Sequence, residues 1–465
     1  MQRIAGDSFI YGGIARNWLQ HGVYGFSESG PRPGLIEIRP TLIRLPGYPI
    51  FLAACFRLFG MDNYRAAMYV QVAADLLTCW LASALSGRLF GRRAALAVLW
   101  LSALCPFTAG YVAAPLTETL VLTTIALTFY SFARWQDAGR GNNRWLWAIA
   151  AALAFSILLR PEQGLLAAAV LPMMLWASLP ASSRPVISTR PILLAGLCVL
   201  LPLLPWTIRN WRTFHVFQPL APRYANDPGE LAPVGFGHWY RSWAIDFAST
   251  EEVYWNYNGD RIELVDLPAR AFDAGSAPAS ADLRSRTASL LADYNATTTA
   301  TPAIDARFGA LAAERIREHP ILYHVALPLA RLFDMILRPR VEMMNIPLEW
   351  WRWRQHRAQT AFAASYALLN FAYLALAIAG FFSWKRRGWN SASAAEGGHA
   401  VYRELAFAMA ASILLRCALL LTLENSEPRY TLEFFPVLFV WAGALFGAPP
   451  STLATSAGTA AEQSE

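Results

Sequence analysis

Long apolar runs separated by short polar, arginine-bearing stretches set the rhythm of this chain. Nine such runs fall near 64–90, 94–113, 115–132, 145–159, 163–179, 192–208, 361–382, 401–422 and 432–446. A helix that crosses the hydrocarbon core of a bilayer needs roughly 20 predominantly apolar residues, and each run is predicted as a transmembrane helix. Ahead of them the apolar pieces are too short to span. Ile10, Ile14 and Trp18 recur every four residues, with Arg16, Asn17 and Gln20 around the other side. That spacing predicts a helix lying in the bilayer surface just behind an acid, Asp7. The run from Ile50 to Phe59 follows Pro46, Gly47 and Pro49, so it predicts an interfacial or re-entrant helix. This stretch is expected to form the floor of an active site.

Between 211 and 356 the hydropathy falls, and acids, tryptophan and tyrosine become common. Its middle, AFDAGSAPASADLRSRTASL, has the composition of a flexible, soluble segment. Its end, HPILYHVALPLARLFDMILRPR, alternates apolar and basic residues and predicts a surface-lying helix, followed by an interface belt of Trp350, Trp351 and Trp353. The predicted architecture is an all-α polytopic membrane protein. It comprises a first loop with interfacial helices (1–63), six transmembrane helices (64–210), a large loop domain (211–356), three transmembrane helices (357–447) and a polar cytoplasmic tail (448–465).

Composition agrees: 55% of residues are hydrophobic and 15% charged, which excludes an ordinary soluble globular protein. A formal charge of +7 would suggest nucleic acid as a partner of a soluble domain. Here the basic residues sit between apolar runs, so topology accounts for them and no nucleic-acid partner is implied. Lys385 is the sole lysine, and guanidinium groups suit bidentate phosphate recognition. The five cysteines lie inside apolar segments without paired spacing and read as small buried hydrophobes.

When the nine spans simply alternate, the loops with Arg88/Arg92/Arg93, Arg134/Arg140/Arg144, Arg184/Arg190 and Lys385/Arg386/Arg387 fall on one side. The positive-inside rule makes that side cytoplasmic. Asp7, Glu118 in AAPLTE, Arg160 and Glu162 in RPEQ, Arg209 in PWTIRN, the large loop and Arg429 in ENSEPRY then all fall outside. An outside amino terminus with six residues ahead of Asp7 predicts one more span upstream in the natural or ancestral chain. An in-frame stop directly before Met1 would count against that expectation.

Asp7 and Glu118 stand at the outer ends of helical runs, where a carboxylate can activate a hydroxyl; capping a helix or plain solvation is the alternative. Arg44, Arg160, Arg209 and Arg429 sit at the outer rim and can hold a lipid phosphate. Each alone reads equally as a snorkelling side chain or a surface ion pair. Acids and arginines converging on one membrane face suit transfer from a phosphate-linked lipid. The leaving phosphate needs fixed positive charge in a partly dry site, and the acceptor hydroxyl needs a carboxylate within reach. The histidines show no metal-ligand spacing.

The segments GDSFIY...IARNWLQHGVYGF, RLPGYPIFLAA, PLTETL, LLRPEQGLLA, PWTIRNW and EPRYTLEFFP, in this order, resemble the bacterial membrane glycosyltransferases of the GT-C superfamily. The nearest are those related to protein O-mannosyltransferases and to the aminoarabinose transferase of lipid A. The resemblance runs over residues 6–446 and is weakest in 211–356. It implies a multi-pass enzyme of the bacterial inner membrane with its active site on the periplasmic face. Such an enzyme moves a hexosyl or pentosyl group from a polyprenyl-phosphate carrier, with inversion, to a glycan, lipid or protein acceptor. By position Asp7 resembles the first-loop aspartate, general base or acceptor-orienting group, and Glu118 the second-loop acid. Arg160, Arg209 and Arg429 fall where the family places rim arginines for the donor phosphate, and Arg44, Tyr48 and Tyr430 stand in the same motifs as further substrate-binding residues. Some relatives bind a divalent ion, which leaves a divalent metal open as cofactor; no other cofactor is implied. One departure is Ser8, which follows Asp7 where the mannosyltransferases carry a second acid. Two other classes stand beside this reading. A transporter or flippase of lipid-linked sugars would show polar or broken helices at the bilayer centre and repeated halves, for which Gln71 and Asp75 are the main trace. A non-catalytic membrane subunit would use its outer loop to bind a partner.

Overall fold

A computed structural model describes residues 6–29, 36–138, 143–178, 189–388 and 402–447; the polar tail from 448 lies outside them. The chain is a polytopic bundle of helices. The first loop holds α1 (Asp7–His21), a two-stranded antiparallel hairpin of β1 (Gly25–Ser29) and β2 (Ile36–Pro40), and α2 (Gly47–Phe59). The bundle follows with α3 (Tyr64–Phe90), α4 (Arg92–Ala103), α5 (Pro106–Val112), α6 (Glu118–Asp137), α7 (Asn143–Leu159), α8 (Gly164–Ser178), α9 (Arg190–Leu200) and α10 (Leu203–Phe214). The stretch 211–356 contributes α11 (Val234–Arg241), a single turn α12 (Phe247–Ser249), α13 (Ala277–Asn295), α14 (Pro302–Glu318) and α15 (Leu327–Leu337). Helices α16 (Arg357–Gly388), α17 (Arg403–Leu420) and α18 (Phe435–Gly443) return to the bundle.

Each of the nine predicted spans falls on helix. Among the described residues, four helical stretches are long and apolar enough to cross a membrane: Tyr64–Phe90, Arg190–Phe214, Arg357–Arg386 and Pro428–Phe446. The number rises to at most six if each sharply bent pair counts as one; α4 and α5 make one such pair, bent by 53°. Helix α6 has lower hydropathy for a physical reason. Nearly all of it is buried against other helices, including Glu118, Thr119, Thr124, Thr128 and Gln136, so protein rather than lipid surrounds its polar groups. Helix α18 is buried along its whole length. Gly380 of α16 lets that helix approach it, since a Cβ there would lie 1.9 Å from the Trp441 carbonyl oxygen.

Two expectations are corrected. The stretch 271–290, read as flexible, is mostly helix α13. Ser276 caps it, its side chain accepting from the Ala279 N–H, and Leu283, Thr287, Leu290, Leu291 and Tyr294 make a buried stripe that packs among Phe236, Trp239, Trp243 and Phe308. A sparse stripe in a polar helix is outweighed by composition when the segment is judged as a whole. Helix α1 forms as predicted, but its Ile14 is fully buried among Tyr24, Leu42, Leu45 and Trp206 rather than turned to lipid. All five cysteines are unpaired, three of them buried.

The bundle has two chemically distinct ends. At one, Arg88 pairs with Asp137 at 2.7 Å, Gln136 donates to Glu404 and Phe90 meets Trp384 edge to face. These residues flank the loops predicted as cytoplasmic. Asp7, Glu118, Arg160 and Arg429 gather at the other end.

Candidate active site

At that other end a cleft of about 240 Å³ opens where six segments meet: the start of α1, the turn before α2, the start of α6, the α7–α8 connection, the stretch 221–225 and the turn after α17. All but the stretch 221–225 are helix ends, and helix ends are where a chain can turn a charged side chain inward without breaking a ladder of hydrogen bonds. Asp7 is the first residue of α1. The cap position is Gly6, at φ 57°, and no side chain caps the helix, so the capping alternative for Asp7 does not hold. Its carboxylate is instead held between two guanidinium groups. Arg44 Nη2 donates to Oδ1 at 2.8 Å and Arg429 Nη2 to Oδ2 at 2.9 Å.

Glu118 opens α6 and is 3% exposed. Arg160 Nη1 lies 3.4 Å from its Oε1 and Arg429 Nη1 3.8 Å from the same atom. Arg160 also donates to Glu162 at 2.8 Å and lies over the Tyr430 ring at 5.5 Å. Arg429 also pairs with Glu427, whose Oε1 accepts from the Tyr430 hydroxyl at 3.0 Å. Charges buried at this depth persist only when paired and hydrogen-bonded, and here every guanidinium is shared between at least two groups. Burial works to raise the pKa of Asp7, but the Arg429 and Arg44 charges outweigh it and hold the carboxyl well below the usual range. Arg160 is likewise fixed as a cation: burial opposes its charge, and Glu162, Glu433 and Glu118 together overcome that.

The cleft thus unites six of the eight residues expected from sequence: Asp7, Arg44, Glu118, Arg160, Arg429 and Tyr430. The structure places the other two elsewhere. Tyr48 is fully buried and donates to Gln71 Oε1 at 2.6 Å, tying α2 to α3. Arg209 donates to the carbonyls of Thr41 at 2.7 Å and Tyr24 at 2.8 Å and stacks on Trp206, Tyr24 and Phe214. It bolts the hairpin to α10, and α10 turns it away from the cleft. Sequence reasoning missed Tyr11 and Arg223 as lining residues. The Pro-Arg-Tyr of 222–224, repeated at 428–430, was the available signal for Arg223. It also missed a second layer, in which Arg416 pairs with Glu433 at 2.9 Å and with Glu162 at 3.5 Å. Both Arg416 and Glu433 lie inside apolar runs, where periodicity marks burial but not partners. Among the described residues no group of three His, Cys, Asp or Glu side chains is set to hold a metal ion.

Two expected outcomes arise here. Burial raises the pKa of Glu162, yet Arg160 and Arg416 overrule it and bring the group from 4.5 to about 2. A depressed carboxylate stabilises the fold fully above its unfolded pKa and loses that contribution as pH falls through the folded one. Thermal midpoints in detergent should therefore stay level from neutral pH to about 5 and fall steeply below about 4.5, with a shallower fall in Glu162→Gln. Gly47 opens α2 against the end of α7, where a Cβ would meet the Leu158 carbonyl at 2.5 Å. Gly47→Ala should destabilise by about 1–3 kcal/mol and weaken any ligand of Arg160, two residues on; unchanged unfolding and binding would show that the helices give way freely.

Residues 40–208 match the family described as dolichyl-phosphate-mannose-protein mannosyltransferase, which supports the resemblance to GT-C membrane glycosyltransferases related to the O-mannosyltransferases. No curated protein matches the chain. Crystal structures of ArnT from Cupriavidus metallidurans, one in the apo state and one bound to undecaprenyl phosphate, are each 14% identical with a TM-score of 0.35, and the match covers 94% of this chain and 72% of theirs. The oligosaccharyltransferase of Archaeoglobus fulgidus, tethered with an acceptor peptide, is 11% identical with a TM-score of 0.45 over 95% of this chain and 45% of its own.

Proposed function

We propose that this chain is a membrane glycosyltransferase that takes a sugar from a polyprenyl-phosphate donor and passes it, with inversion, to an acceptor at the outer, periplasmic face of the bacterial inner membrane. The observation that carries the reading is the convergence of Arg44, Arg160 and Arg429 with Asp7 and Glu118 on one cleft from five separate segments. The family description over residues 40–208 names a lipid-phosphate-linked sugar, and three guanidinium groups suit the phosphate that such a donor leaves behind.

The chemistry follows from how the charges are shared. With no donor bound, Asp7 is a poor proton acceptor because Arg44 and Arg429 hold it ionised. A donor phosphate competes for the same guanidinium groups. As they turn to it, Asp7 loses the charges that depress its pKa while remaining buried, and its basicity rises. Donor binding therefore arms the base, which accepts the proton of the acceptor hydroxyl as that oxygen attacks the anomeric carbon from the side opposite the phosphate. Glu118 keeps Arg160 and Arg429 oriented, and Tyr430 lies beneath Arg160.

The test is to incubate the detergent-solubilised chain with radiolabelled polyprenyl-phosphate sugars and membrane-extracted acceptors, and to follow label leaving the lipid. Transfer that depends on Arg160 and Arg429 supports the reading. Label that remains on the lipid with every donor would sink it.

A further inference from the structure

A second cleft, larger at about 480 Å³, lies between the loop domain and the segment that follows α17. The two clefts are contiguous: Ala225 lines both, while Pro222 and Arg223 line the first and Tyr224 and Asn226 line the second. Their chemistry is opposed. The first is lined by four arginines. Among the described residues the second has no cationic lining residue; its polar groups include Asn226, Glu230 and Glu424, set beside the rings of Phe236, Tyr254 and Tyr257.

Glu424 is the unusual member. It is 6% exposed, and its Oε2 accepts from the Tyr254 hydroxyl at 3.3 Å, with Tyr224 reaching the same carboxylate from the rim. Its Oε1 has no hydrogen-bond partner among the described residues. A buried carboxylate oxygen without a donor is costly, and such groups ordinarily have partners. The chain also reserves space for it: a Cβ on Gly237 would come within 2.9 Å of the carboxylate. The buried guanidinium of Arg331 feels the charge of Glu424 without lining the cleft.

We propose that this second cleft seats a neutral, hydroxylated saccharide and rejects phosphorylated or acidic ones. A sugar hydroxyl supplies the donor that Glu424 Oε1 lacks, Asn226 offers a further polar contact, and the part-exposed ring of Tyr254 meets apolar C–H surfaces. Glu424, with no lining cation beside it among the described residues, repels an anion, whereas Glu230 is already paired with Arg39 at 3.0 Å. Opposed charge in contiguous clefts keeps the donor phosphate in the first and the saccharide in the second. That the saccharide is the acceptor rests on the transferase reading above; that it binds here does not.

Saturation-transfer NMR on the full chain in lipid nanodiscs reads binding directly. The probes are the methyl glycosides of glucose, galactose, mannose and N-acetylglucosamine, with glucose 6-phosphate as the charged arm. At least one neutral glycoside should receive saturation and glucose 6-phosphate none. Glu424→Gln, which keeps the shape, should weaken that binding about tenfold, and Asn226→Leu, at the rim, should also weaken it. Both variants should bind undecaprenyl phosphate as the parent chain does, which shows them folded. Signal from glucose 6-phosphate equal to the neutral glycosides, silence from all four glycosides, or full-strength binding by Glu424→Gln would each overturn the assignment. The transferase reading stands or falls separately, on label leaving the lipid.

Discussion

Asp7→Asn is expected to lower sugar transfer by about 10²- to 10⁴-fold, the usual contribution of a positioned general base, while leaving the chain folded in the membrane. The amide keeps the size of the carboxylate and still accepts a hydrogen bond from one of Arg44 and Arg429, the two groups that hold it at 2.8 and 2.9 Å. It can neither accept a proton nor compensate both charges. Donor affinity should therefore hold or rise, because a phosphate no longer competes with Asp7 for its guanidinium groups. A loss of turnover with unimpaired donor binding is the signature of this arrangement. Near-normal turnover in a purified assay would remove Asp7 from the mechanism, and parallel loss of donor binding would make it a purely structural anchor.

Arg160→Met is expected to destabilise the fold by about 3–5 kcal/mol, because removing one partner of a buried ion pair strands the other. Arg160 is 11% exposed and stands within 3.5 Å of carboxylate oxygens of Glu118, Glu162 and Glu433, so its loss leaves three acids facing one another across a nearly dry space. Adding Glu162→Gln to the variant should recover part of the loss, since groups in one network do not contribute additively. Thermal unfolding of the single and double variants measures this. Additive effects would show that Arg160 and Glu162 act independently, contrary to their 2.8 Å contact.

Much of this was legible in sequence. Apolar runs locate helices because the lipid-facing and buried surfaces of a bundle are both apolar, and the runs at 64–90 and 361–382 fall on long helices, α3 and α16. Charges that interrupt such runs at helix ends are conspicuous, which is why Asp7, Glu118, Arg160 and Arg429 could be singled out. The same reasoning could not separate Arg209 from Arg160. Both follow an apolar run at the end predicted to face outward, yet α10 turns one onto the hairpin carbonyls while the α7–α8 turn aims the other into the cleft. Nor could it find Arg416 and Glu433, whose pairing joins α17 to the segment before α18, or recognise α13, whose five buried positions sit in an otherwise polar helix.

By itself the sequence determined the number and place of the apolar runs, the end of the bundle at which the acids and arginines gather, and the motifs that resemble a known family. These are local properties: periodicity, run length and charge beside a helix end. Only the tertiary structure decided which charges meet. Asp7 and Arg429 are separated by 422 positions in the chain and are brought to 2.9 Å by the packing of helices between them. It also decided that a second cleft, without a lining cation among the described residues, adjoins the first. Burial is what gives those meetings their energy, since the low dielectric that makes an isolated charge costly also makes a well-placed partner strong, and burial is a property of the assembled bundle.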